Sequence, residues 1–210
     1  MSTSETRPTS DERLTRTDVE DPRGLVLMLH GGKEQSVAPV DGRSASWRRS
    51  AAMQRSIAPA LGEDGVATWL LRYTLRGWNG GAPVADARAA LDRAAAELPG
   101  VPVVLLGHSM GGRTAAHVAD HPAVVGVVAL APWFPEGEPV RALRGRPLLA
   151  AHGARDKITS PRATRAYVER ANADGARATF RDMGPVGHYM FRRAGAWNEV
   201  ALAGCRELLS

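Results

Sequence analysis

"LLGHSMGGRTAAH", Leu105 to His117, decides how this chain is read. An apolar run beginning at Val101 stops at Gly107, Ser109 stands two positions on, Gly111 and Gly112 follow, and the chain continues with helical spacing. Gly107-His108-Ser109-Met110-Gly111 is therefore a G-x-S-x-G pattern set between a strand and a helix, the context in which a serine is held out on a sharp turn as a nucleophile. A serine on such a turn takes strained backbone angles, and Cβ atoms at Gly107 and Gly111 would crowd it. The helix starting at Met110 adds unpaired N–H groups and the positive end of its dipole, both of which favour negative charge beside Ser109.

Outward from this point, short apolar runs alternate with longer amphipathic ones. "GLVLMLHGG" (24–32), "VATWLLRY" (66–73), "VPVVLLG" (101–107), "AVVGVVALAP" (123–132), "RPLLAAHG" (146–153) and "ARATFRDM" (176–183) read as strands. Segments 46–61, 83–98, 110–121, 160–173 and 196–209 read as helices, with Pro59 near the end of the first and Pro83 opening the second. Strands apolar on both faces and separated by helices imply βαβ units, hence an α/β fold with a mostly parallel sheet of about six strands and helices on both faces. In such a sheet functional groups gather at the carboxyl ends of the strands.

A serine hydroxyl needs a base. "LLAAHGARDKITSP" presents Asp156 in a loop after one strand, and "FRDMGPVGHYM" presents His188 in a loop after the last, giving the order Ser109, Asp156, His188. His188 is the expected base and Asp156 the acid that orients it, with Asp182 and then Glu136 as competing acids. His30 and His152 read as turn positions, and His108 as pointing away from the serine's neighbours. His117 and His121 lack the glutamate of a metal-binding H-E-x-x-H helix, so no metal is expected. Two N–H donors for an oxyanion are expected from Met110 and from the glycine loop at Gly32 or Lys33, both alternatives being open. Trp133, Tyr189, Met190 and Trp78 follow strand ends and are the candidate pocket walls. Apolar walls of that kind favour a short acyl chain or an aromatic ester over a charged substrate.

The chain's 210 residues, 44% of them hydrophobic, suit one globular domain over 23–210 behind a flexible polar tail over 1–22. The one cysteine, Cys205, falls in an apolar pattern and reads as core, and the absence of any possible intrachain disulfide suits the cytoplasm. The net charge of +5 is spread over scattered arginines without interleaved aromatics, so nucleic acid is not an expected partner. No run approaches the roughly 20 apolar residues of a membrane span, so no membrane partner is expected either, and the chain reads as a monomer or homodimer.

"HGG" (30–32), "GHSMGG" (107–112), "LAPW" (130–133), "HGARDKIT" (152–159) and "GHYM" (187–190), taken together and in order, resemble the α/β-hydrolase superfamily, in particular its compact esterase and dienelactone-hydrolase-like branches. The resemblance implies a three-layer fold and a serine hydrolase with a Ser–His–Asp triad and no cofactor, acting on a small-molecule acyl substrate. Dienelactone hydrolases carry cysteine where this chain has Ser109, so lactone specificity does not transfer. The family's full sheet has two further strands before the "HGG" strand; the polar residues 1–24 suggest a trimmed one. "FPEGEPVRALRG" (134–145) is too short for a lid domain, so an open site is expected. An acyltransferase, a peptidase and a non-catalytic binding protein on the same fold are the rival readings.

Overall fold

The computed structural model describes residues 13–210. Its centre is a seven-stranded sheet in the order β1-β3-β2-β4-β5-β6-β7, built from β1 (Leu14–Thr17), β2 (Gly24–Leu29), β3 (Val66–Leu71), β4 (Val103–His108), β5 (Val124–Leu130), β6 (Pro147–His152) and β7 (Arg177–Asp182). Helices α1 (Ala45–Glu63), α2 (Ala82–Glu97), α3 (Met110–Val118), α4 (Pro161–Ala173) and α5 (Ala194–Leu208) alternate with the strands. All neighbours from β3 to β7 pair in parallel, and only β1 on β3 is antiparallel.

The sequence dictates two apolar layers because β2, β3 and β4 are buried at every position. Leu25, Leu27 and Leu29 face the layer beneath α2, α3 and α4, while Val26 and Met28 face the one beneath α1 and α5. Each fully buried side chain of this size contributes roughly 1.5–3 kcal/mol, which is why continuous apolar runs, and not alternating ones, mark the central strands. Cys205 is wholly buried on α5, and burial pushes its thiol up to about 12.

The expected tail over 1–22 requires correction. Residues 1–12 lie outside the described residues, but Leu14–Thr17 forms an edge strand on β3. One face of an edge strand suffices for packing: Leu14 packs on the core, and the Arg16 guanidinium lies 4.0 Å over the Trp69 ring. Gln54 of α1 fastens the strand, donating from Nε2 to the Thr15 carbonyl at 2.9 Å and the Thr68 carbonyl at 3.2 Å. The sheet thus has one strand more than the six read from the apolar runs. Between β5 and β6 the chain forms only a short 3-10 turn, Arg141–Leu143, and no lid.

Candidate active site

The loops after β2, β4, β6 and β7 meet at the carboxyl edge of the sheet. Ser109, between β4 and α3, has φ 55° and ψ −118°, a conformation L-residues avoid at a cost of about 1–3 kcal/mol. Its N–H donates to the Leu130 carbonyl at 3.0 Å, and its carbonyl accepts from the Trp133 amide at 3.1 Å, so β5 holds the strained turn in place. The glycines are needed for the reason the sequence suggests: a Cβ on Gly107 would strike the Gly111 carbonyl, and one on Gly111 would strike that of Leu29.

Ser109 Oγ lies 3.0 Å from His188 Nε2, and His188 Nδ1 lies 2.8 Å from Asp156 Oδ2. The Asp156 side chain is fully enclosed. Its Oδ1 accepts from the amides of Ile158 at 2.8 Å and Thr159 at 2.9 Å; its Oδ2 accepts from Thr159 Oγ1 at 2.9 Å and pairs with His152 Nε2 at 3.0 Å. Burial alone would raise this carboxyl, but the hydrogen bonds from His152, His188 and the two amides outweigh it and hold the group well below the usual carboxylate range. Asp156 is therefore a fixed negative charge beside the imidazole. Of the competing acids, Asp182 is exposed and pairs with Arg165 at 3.3 Å, and Glu136 is exposed.

His108 does not point away as expected. Its Nε2 meets the His188 carbonyl at 3.1 Å, and the two rings stand 5.0 Å apart. Burial first, then the neighbouring His188, push His108 down to about 3. It is thus neutral and donates to the His188 carbonyl. His152 is likewise more than a turn residue, bridging Thr164 at 2.9 Å to Asp156. His30 is buried and accepts from the Tyr73 amide at 3.2 Å, joining the loops after β2 and β3. His121 ties locally to the Ala123 amide at 3.2 Å.

Of the two open donor assignments in the glycine loop, Lys33 is removed: its N–H already donates to the Arg76 carbonyl at 2.8 Å. Gly32 is exposed and packs so closely that a Cβ there would lie 2.6 Å from Met110 Sδ. Met110 begins α3, where an amide has no partner within the helix.

The pocket candidates separate. Tyr189 is 52% exposed and packs edge-on against His188 at 5.4 Å. Trp133 and Trp78 meet at 6.3 Å with the Arg113 guanidinium over both rings. Met190 does not line an open surface; it is buried in the layer under α1 and α5, and its φ of 55° turns the chain there. Ser109 and His188 are themselves only 7% and 6% exposed.

The sequence reading missed Glu138. Its side chain is almost wholly enclosed, with Arg113 NH2 at 2.6 Å and His117 Nε2 at 2.5 Å, and it clamps the segment after β5 onto α3. No local motif marks it, because the partners come together only through the turn at Ser109.

No curated protein sequence matches the chain. In fold it is similar to an alpha-beta serine hydrolase homologue from Coxiella burnetii (18% identity, 91% of this chain and 90% of that one covered, TM-score 0.70). It is also similar to a lidless serine hydrolase from Xanthomonas campestris (18%, 92% and 88%, TM-score 0.68) and to a monoacylglycerol lipase from Paleococcus ferrophilus (18%, 93% and 98%, TM-score 0.65). The sequence pattern of the alpha/beta hydrolase family matches residues 26–207. With the strand order, the strained serine turn and that match together, the chain belongs to the alpha/beta hydrolase family.

Proposed function

We propose that the protein is a serine hydrolase that cleaves a small carboxylic ester through Ser109, His188 and Asp156. The observation that carries the reading is the hydrogen-bonded row from Ser109 Oγ through both ring nitrogens of His188 to Asp156 Oδ2, at 3.0 and 2.8 Å. Ser109 Oγ attacks the ester carbonyl while His188 Nε2 takes its proton. Asp156 fixes the tautomer and stabilises the imidazolium. The tetrahedral oxyanion is met by the amides of Met110 and Gly32, and its collapse releases the alcohol, which takes the proton from His188. Water then enters, is deprotonated by His188, and frees the acid from Ser109. Labelling by a fluorophosphonate, followed by mapping of the modified residue, tests the nucleophile independently of the substrate. Modification of Ser109 supports the reading, whereas no modification of the folded protein contradicts it.

The near-burial of Ser109 and His188 favours a second reading, in which an alcohol or amine replaces water as acyl acceptor. Product analysis with a competing alcohol separates the two: transfer exceeding hydrolysis at modest alcohol concentration marks a transferase.

A further inference from the structure

Beyond the serine row, unpaired positive charge gathers on α1. Arg48, Arg49 and Arg55 line a cavity of about 540 Å³ together with Trp47 and Phe191, and no carboxylate lines it. Among the described residues none of these three guanidinium groups has a hydrogen-bond or ion-pair partner; Arg48 and Arg55 are exposed to solvent, and Arg49 is not. Arg49 is the telling one. It is partly buried, its guanidinium lies 3.8 Å over Phe191 and 5.2 Å over Tyr189, and burial pulls it below its ordinary range. Cations withdrawn from water without a counter-charge are rare because desolvation is costly.

Nothing local accounts for them. Arg48 and Arg49 stand near the start of α1, where the peptide dipoles already add positive charge and no acidic residue occupies the first turn. Asp41, just ahead of α1, is engaged with Ser44 at 3.0 Å and Arg76 at 3.1 Å. Trp47, on the same cavity, carries a buried indole N–H with no partner among the described residues. Phe191 is 77% exposed and stands beside the half-exposed Tyr189, their ring centroids 6.1 Å apart, so the two present one aromatic face to solvent next to Arg49. Tyr189 links the cavity to the serine row: its ring meets His188 edge-on at 5.4 Å, and the guanidinium of Arg49, on the cavity wall, lies 5.2 Å from the same ring.

We propose that this cavity is an anion subsite, in which the arginines of α1 hold a carboxylate or phosphate group carried by the substrate while its ester carbonyl lies at Ser109. The inference rests on the serine-hydrolase reading above and names its substrate class: anionic esters, with Phe191 covering the chain between ester and anion. It reverses the expectation of an uncharged substrate drawn from the apolar candidate walls. Guanidinium groups suit the task because they pair with carboxylate and phosphate in a two-pronged, charge-assisted geometry.

The test compares p-nitrophenyl hydrogen glutarate with p-nitrophenyl methyl glutarate, which differ by one charge at the far end of the acyl chain, and with a phosphonate-terminated analogue. Wild type is expected to prefer an acid over the methyl ester by about tenfold or more in kcat/KM at low salt, the size of one charge-assisted hydrogen bond. That ratio is expected to fall towards one in both Arg49→Met and Arg55→Met. Preference for the carboxylate or the phosphonate identifies the anion. Equal rates in wild type, or a ratio unchanged in both variants, overturn the subsite. Calorimetric titration of the whole protein with glutarate and with inorganic phosphate separates this from failure of the hydrolase reading. Saturable binding that is lost in Arg49→Met upholds the subsite even if no ester is cleaved, and absence of binding by either anion in wild type overturns it.

Discussion

Asp156 Oδ2 stands 2.8 Å from His188 Nδ1 and 3.0 Å from His152 Nε2, so one enclosed carboxylate oxygen serves two imidazoles. His152 in turn is fixed by Thr164, and Thr159 caps the same oxygen through its hydroxyl. The carboxylate is thereby immobilised from three directions beside His188. Asp156→Asn preserves the shape but favours the wrong tautomer of His188, and ester hydrolysis is expected to drop by about 10⁴-fold in kcat. His152→Gln, which keeps a donor to Asp156, is expected to cost far less; steady-state kinetics on both variants checks the ordering.

The strain at Ser109 has a measurable sign. Its φ of 55° and ψ of −118° suit glycine and no other residue. Ser109→Gly is expected to be more stable than Ser109→Ala by about 1 kcal/mol, since only glycine relieves the backbone while both lose the hydroxyl. Urea denaturation of the two variants measures the difference.

Two buried histidines set an acid limit. His108 is pushed down to about 3 and His30 to about 4, in both cases chiefly by burial. Each stays neutral in the folded chain while the unfolded chain protonates near 6.5. The unfolded state therefore binds more protons below that pH, and stability falls as pH drops from 6.5 towards 4, by about 1.4 kcal/mol per histidine per pH unit. Melting temperatures between pH 7 and pH 5 are expected to decline accordingly, and His108→Asn is expected to flatten the decline by about half.

The glycine loop offers a contrast between neighbours. Gly32→Ala drives a methyl into the Met110 thioether and the Arg76 carbonyl and displaces the proposed donor, so kcat is expected to fall by about 10²–10³-fold. Lys33→Ala leaves its amide on Arg76 and removes only an exposed side chain, and activity is expected to change little. Activity in Gly32→Ala equal to that of Lys33→Ala would contradict the assignment of the donor to Gly32.

Much of this arrangement was readable in the residues. Runs such as Val103–His108 and Val124–Leu130 are buried on both faces, so their apolarity alone fixes strand and sheet type. Ser109 announces itself because its glycines are sterically required within a few positions. Leu14–Thr17 stayed hidden because an edge strand needs one buried face, and the polar alternation of four residues resembles a loop. Glu138 was hidden because its partners, Arg113 and His117, are brought to it by tertiary packing. The orientation of His108 depends on a loop eighty residues away. Arg49 carries no motif at all, and its lack of a counter-charge is visible only once every nearby carboxylate has been placed.

The most direct measurement is hydrolysis of p-nitrophenyl esters, from acetyl to dodecanoyl, by wild type and Ser109→Ala side by side, with fluorophosphonate labelling of both. The account predicts turnover by wild type, a fall of roughly 10⁴-fold or more in the variant, and label on wild type alone. A folded wild-type protein that neither turns over any ester nor takes the label would contradict it, leaving the turn at Ser109 as architecture without chemistry.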